Sequence, residues 1–181
     1  MYSQIALSPV AKELSELRIK TQNVKGAALV LQEVENSQCL QFMFWSEQDE
    51  SFLDSLVLED GYIMHLSPQT YQLINFSTQQ MFDLNSLPAD KGVVSDLSHA
   101  RSIFRLSGIK AHEFLQSRFA IDINDQAFKV GMSLQTSVSH MGVSCHRVDE
   151  DMFDLFVFRG FAGSFLDWIS HEGALYGFQI A

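Results

Sequence analysis

Cysteine is scarce in this sequence: Cys39 and Cys145 are the only two among 181 residues, each inside an apolar segment. That leaves no disulfide framework and no second pair for a zinc site, and it predicts a reduced, cytoplasmic setting. Basic residues are few as well. Twelve Lys and Arg stand against 22 Asp and Glu, a formal net charge of −10, which repels phosphate backbones and anionic headgroups alike. Nucleic acid and membrane surfaces are poor partners for such a chain. No run of about 18 uncharged apolar residues occurs, and the stretch from Met1 to Lys20 lacks an apolar run of signal length, so the expectation is a soluble, unprocessed protein. Gly-x-Gly-x-x-Gly, Gly-x-x-x-x-Gly-Lys-Ser/Thr, Gly-x-Ser-x-Gly and His-Glu-x-x-His are all missing. Without a glycine-lined helix start to bring N–H groups against phosphate, a self-contained flavin or NAD site is not expected.

What the chain does have is apolar mass. Hydrophobic residues make up 46% of it, including 15 Phe, 4 Tyr and 2 Trp, enough for a packed core that needs no metal or disulfide. Ser8-Pro9 followed by Val10, Leu14 and Leu17 predicts a short amphipathic lead helix. Ala28 to Gln32 and Cys39 to Trp45, separated by Glu35-Asn36-Ser37, read as a hairpin. Ser46 with Asp49 reads as a capping box opening a helix with Phe52, Leu53, Leu56 and Val57 on one stripe. Strands are expected at Tyr62 to Leu66 and Tyr71 to Phe76, around a turn at Ser67 to Thr70, with a further helix over 77–86. Leu87-Pro88-Ala89-Asp90-Lys91-Gly92 concentrates chain breakers and predicts a joint between an N-terminal half, 1–92, and a C-terminal half, 93–181. The second half reads β-α-β-β-β-α. Its last strand, Phe153 to Phe158, is apolar on both faces and should lie mid-sheet. The fold class is α+β, built as two β/α halves.

Candidate chemistry is thin. His140 and His146 are the closest imidazole pair, but six residues of extended chain hold them roughly 20 Å apart. Asp122-Ile123-Asn124-Asp125 lacks the glycine and terminal Glu of a calcium loop and reads as a polar turn. Asp149-Glu150-Asp151 reads as a solvated turn between strands, and Cys145 as a small core residue. Arg101, Arg105, Lys110 and Arg118 gather four of the twelve basic residues into eighteen positions. They read either as a contact for an anionic ligand or acidic partner subunit, or as the solvated outer face common in such segments. Trp168 and Phe178 are candidate interface aromatics.

Ser95-Asp96-Leu97-Ser98-His99-Ala100-Arg101, running into Phe104-Arg105-Leu106-Ser107-Gly108, resembles the Asp-x-Ser-His strand-entry motif of the sarcosine oxidase gamma subunit family. Ala111-His112-Glu113-Phe114-Leu115, Ala120 to Ile123, Phe128-Lys129-Val130-Gly131, Gln135-Thr136, Phe153 to Arg159, Phe161-Ala162, Trp168 and Tyr176-Gly177 continue the pattern in order. Ser67-Pro68-Gln69-Thr70-Tyr71 departs from the family's Gly-Pro-Asp-Glu-Trp by losing two carboxylates, and Arg159-Gly160 departs from its Arg-Ser.

The resemblance implies the cofactor-free gamma chain of a four-subunit bacterial sarcosine oxidase, with alpha, beta and delta subunits as partners. It implies that the other chains hold FAD, FMN, NAD and tetrahydrofolate and convert sarcosine to glycine, hydrogen peroxide and methylene-tetrahydrofolate. It also implies a fold similar to part of the folate-binding aminomethyltransferase domain, with no catalytic, cofactor or metal residue in this chain. A standalone folate-binding module is the alternative reading, resting on that fold and on the basic stretch from Arg101 to Arg118.

Overall fold

The computed structural model describes residues 8–21, 27–35 and 37–181. In chain order the elements are α1 (Ala11–Thr21), β1 (Leu29–Val34), β2 (Gln38–Phe44), a 3-10 helix (Glu47–Ser55), β3 (Gly61–Ser67), β4 (Thr70–Asn75), β5 (Gly92–Asp96) and β6 (Arg101–Ser107). There follow α2 (Ala111–Arg118), β7 (Ser133–Val138), β8 (Met141–Asp149), β9 (Met152–Phe158), α3 (Ala162–Gly173) and β10 (Phe178–Ile180). The class is α+β, and the order from β6 to α3 is the expected β-α-β-β-β-α. Among the described residues no helix is long and apolar enough to cross a membrane.

Two units divide the chain, 1–35 with 102–181 and 36–101. They do not coincide with the expected halves, because the breakers at 87–92 turn the chain within one sheet instead of joining two bodies. Leu87 is buried in the smaller unit's core, and β5 starts at Gly92 to pair with β2. A Cβ at Gly92 would lie 2.4 Å from the Met43 carbonyl oxygen, so the glycine lets the two strands close.

The larger unit is a six-stranded sheet in the order β10-β1-β6-β9-β8-β7. β9 lies inside it, as its double-faced apolar pattern predicts, and residues 153–157 are all buried. Every second residue feeds one core: Leu29 and Leu31, Phe104 and Leu106, Val143 and Cys145, Phe153, Leu155 and Val157. Phe114 and Leu115 of α2 and Phe165, Leu166 and Ile169 of α3 cover that face. Phe178 is also a core residue, 4% exposed, and Trp168 packs against the same cluster, which corrects the reading of Phe178 as a surface aromatic.

The smaller unit is a sheet of order β3-β4-β2-β5 whose Leu40, Phe42, Phe44 and Leu73 pack under Phe52 and Leu53 of the 3-10 helix. The β3–β4 hairpin turns at Pro68-Gln69, with Gln69 at φ 61.

Three local expectations give way here. β1 and β2 do not pair with each other: β1 lies between β10 and β6, and β2 between β4 and β5. The intervening residues carry neither Asn-Gly nor Asp-Gly, so nothing local locks a tight hairpin and distant strands supply the partners. The segment after Ser46 winds as a 3-10 helix, with Ser51 and Ser55 hydroxyls bonding the carbonyls three residues back. Ser46 does not cap backbone; its hydroxyl bonds the Asp49 carboxylate at 2.6 Å. Over 77–86 no helix forms, because side chains take the backbone groups: Asn75 accepts from the Ser77 N–H, Ser77 from that of Gln80, and Gln38 both accepts from and donates to the Phe82 main chain.

Candidate functional site

The four basic candidates follow from where β6 and α2 place them. Alternation along β6 sends Phe104 and Leu106 into the core and Arg105 to the opposite sheet face. There its Nε and Nη2 donate to the two carboxylate oxygens of Asp154 on β9, at 2.7 and 2.8 Å, and the Asp154 side chain is wholly buried. Lys110 precedes α2 and donates to the Glu113 carboxylate, which holds the ammonium above its ordinary range. Arg118 ends α2, donates to Glu172 of α3 at 2.8 Å and lies over the Phe114 ring.

Lys110 and Arg118 thus stand about 12 Å apart along the helix, on the sheet face opposite Arg105. Arg101, the residue opening β6, belongs to the smaller unit, where burial pulls its guanidinium below the ordinary range beside Cys39. Within the larger unit, Arg105, Lys110 and Arg118 do not converge on one seat for an anion. Each of the three already faces a carboxylate of its own unit.

A different arginine organises a polar cluster in the larger unit. Arg147 sits near the end of β8 in phase with Val143 and Cys145, so its side chain turns toward the core and is 6% exposed. Its Nη1 donates to the Phe128 carbonyl at 2.6 Å, and its Nη2 to the Glu150 carbonyl at 2.9 Å and the Asp125 carboxylate at 2.7 Å. The guanidinium covers the Phe153 ring, and His112 stacks on the same ring while its Nε2 meets the Ile123 carbonyl at 2.6 Å. Arg147 and, to a smaller extent, His112 hold the Asp125 carboxyl below its usual range. A pocket of about 470 Å³ opens beside this cluster, with Lys129, Val130, Glu150 and Asp151 on its rim. The sequence signal for Arg147 was its phase with two apolar strand residues, a buried position that a charged side chain takes only with partners at hand.

The remaining candidates are built into the fold. His146 faces the other side of β8, bonds Ser133 Oγ through Nδ1 at 2.9 Å and pairs in register with Asp154. Burial pulls its imidazole down to about 4, against a weaker opposing pull from Asp154, so the ring is neutral at pH 7. His140 lies in the exposed two-residue turn before β8 at φ 67. Burial pushes the Cys39 thiol up to about 12 and that of Cys145 well up too, so neither supplies a thiolate nucleophile at neutral pH. Asp122 and Asn124 turn their side-chain oxygens onto backbone N–H groups of Asn124, Gln126 and Ala127. Asp149-Glu150-Asp151 is the β8–β9 turn. Among the described residues no three His, Cys, Asp or Glu side chains are placed to share a metal ion.

Comparison with known proteins follows the same lines. The fold is similar to a chain of the heterotetrameric sarcosine oxidase from Corynebacterium sp. U-96 in complex with pyrrole 2-carboxylate, with a TM-score of 0.79 and 19% identity over 96% of this chain and 97% of that one. It is also similar to the glycine cleavage system aminomethyltransferase T from Bartonella henselae, with a TM-score of 0.59 and 15% identity over 95% of this chain and 50% of that one. The search of curated proteins returns no match. The sarcosine oxidase, gamma subunit family model matches residues 70–174, more than half of the sequence, and the chain belongs to that family.

Proposed function

We propose that this chain is the non-catalytic gamma subunit of a cytoplasmic, heterotetrameric sarcosine oxidase, acting in the assembly and stability of the complex. Its partners are the alpha, beta and delta subunits, which hold FAD, FMN, NAD and tetrahydrofolate and carry out the oxidative demethylation of sarcosine. The observation that carries this reading is the family match combined with a fold correspondence that runs over 96% of the chain. The internal chemistry agrees. The basic groups Arg105, Lys110, Arg118 and Arg147 face carboxylates of the chain itself, and both thiols are buried in their protonated form. Lys110 and Arg118, whose ion pairs reach solvent, are the candidate contacts for acidic groups of a partner.

Co-expression of this chain, tagged, with the other three subunits tests the assignment. The expected result is a complex with all four chains in equal amounts and sarcosine-dependent peroxide formation. Purification of an equally active and stable enzyme that wholly excludes this chain overturns it.

A further inference from the structure

Four strands end the two sheets, and three of those edges are blunted. β10 is three residues long, and the Thr21 hydroxyl of α1 accepts the Ile180 N–H that turns away from β1. β3 breaks register between His65 and Ser67. β5 is short and ends on the charge of Asp96. β7 has none of these devices. Ser133-Leu134-Gln135-Thr136-Ser137-Val138 carries no charge, proline, glycine or bulge and keeps regular register with β8 throughout. Folded chains ordinarily protect such an edge, because its unpaired backbone groups template the addition of another strand.

The free groups can be assigned. A two-residue turn, Ser139-His140 with φ 45 and 67, joins Val138 to Met141, and the pair across such a turn is hydrogen-bonded. Further along the ladder, the Arg147 N–H bonds the Met132 carbonyl. Even-numbered residues therefore bond β8, and the N–H and C=O of Ser133, Gln135 and Ser137 point away from the sheet. Among the described residues they meet no backbone partner. The side chains of Gln135 and Ser137 are exposed, and exposed Val130 and Met132 stand in the turn just before β7, closed by the Met132 N–H on the Lys129 carbonyl, with Val130 on the pocket rim beside Lys129, Glu150 and Asp151.

We infer that the free edge of β7 receives an extended segment of a partner subunit, apolar where it passes Val130 and Met132 and basic where it reaches Glu150 and Asp151. This rests on the gamma-subunit reading. A second copy of the chain is the poorer occupant, since it brings another net −10 to a rim where Glu150 and Asp151 outnumber Lys129.

Gln135→Pro removes one outward N–H and leaves the β8 ladder intact, and Gln135→Lys places a charge on the edge with the backbone unchanged. In the co-expressed four-subunit system, each variant should recover at least tenfold less of the other subunits than the wild-type chain, with unchanged circular dichroism and Tm. Hydrogen exchange adds a readout that needs no variant: the Gln135 and Ser137 amides exchange rapidly in the isolated chain and should slow at least tenfold in the complex. Wild-type recovery by Gln135→Lys with no slowing of those amides overturns the inference and leaves the gamma assignment standing. If the wild-type chain itself fails to assemble, the assignment falls and this inference with it. Self-association that Gln135→Lys abolishes, alongside undiminished four-subunit assembly, makes a second copy the occupant and also overturns it. Should Gln135→Pro not fold, Gln135→Lys and the exchange data decide.

Discussion

Arg105 and Asp154 meet through two parallel hydrogen bonds, the geometry in which a guanidinium recognises a carboxylate best. Their burial is unequal: the Arg105 side chain keeps 28% of its exposure and Asp154 none. Removing the arginine therefore takes the bidentate partner from a carboxylate that is wholly buried, whereas removing both partners leaves an apolar gap. Arg105→Met should cost about 3 kcal/mol of unfolding free energy, near the lower end of what breaking a buried pair costs because Arg105 is partly solvated. Arg105→Lys should fall between, since an ammonium cannot span both oxygens. The double variant Arg105→Met with Asp154→Leu should recover most of the loss. Urea unfolding of the three variants measures this, and a double variant no more stable than Arg105→Met would show that Asp154 matters through contacts other than its arginine.

Elements that announce themselves by period or by turn chemistry were legible in the sequence, and those fixed by distant partners were not. α1, α2 and α3 carry their apolar residues at helical spacing, and β9 is apolar on both faces, so each sits where its pattern directs. β5 and β10 are short strands without a strong pattern, and they form because β2 and β1 offer open edges to them. The false hairpin has the same origin, since alternation in β1 and β2 specifies a strand without naming its neighbour. Of the basic candidates, position and sign were readable, but the carboxylates opposite Arg105 and Arg118 lie 49 and 54 residues further along the chain, beyond any local rule. The chain turns at Gly108, directly after β6. Gly108 stands at φ +120, a Cβ there would lie 2.4 Å from the Ala28 carbonyl oxygen, and its N–H bonds the Asp151 carbonyl at 3.1 Å. Gly108→Ala meets both backbone strain and a clash with main chain, so a loss of about 2 kcal/mol or more is expected in urea unfolding. Gly131→Ala makes the comparison informative: it shares a positive φ of +85 but has nothing within 4 Å, and should cost less.

At the scale of the whole molecule, a net charge of −10 and an unprotected strand edge oppose each other. Like charge keeps copies apart at neutral pH, and that repulsion fades as pH approaches the sequence isoelectric point near 4.9. His146 adds a second effect in the same window. Its folded-state value, about 4, lies below the 6.5 of a free imidazole, so the unfolded chain takes up the proton first. Stability from this group is complete above pH 6.5 and is lost as pH falls toward 4. Association near pH 5 could then come from edge pairing of folded chains or from partial unfolding, and two lysine variants separate them. Gln135→Lys and Gln48→Lys change net charge equally at exposed positions and leave His146 untouched, but only the first lies on β7. Light scattering of the isolated chain from pH 7 to 5 should rise for the wild type and for Gln48→Lys, and stay low for Gln135→Lys. Equal rises in both variants would assign the association to lost charge and stability, and remove the β7 edge as its cause.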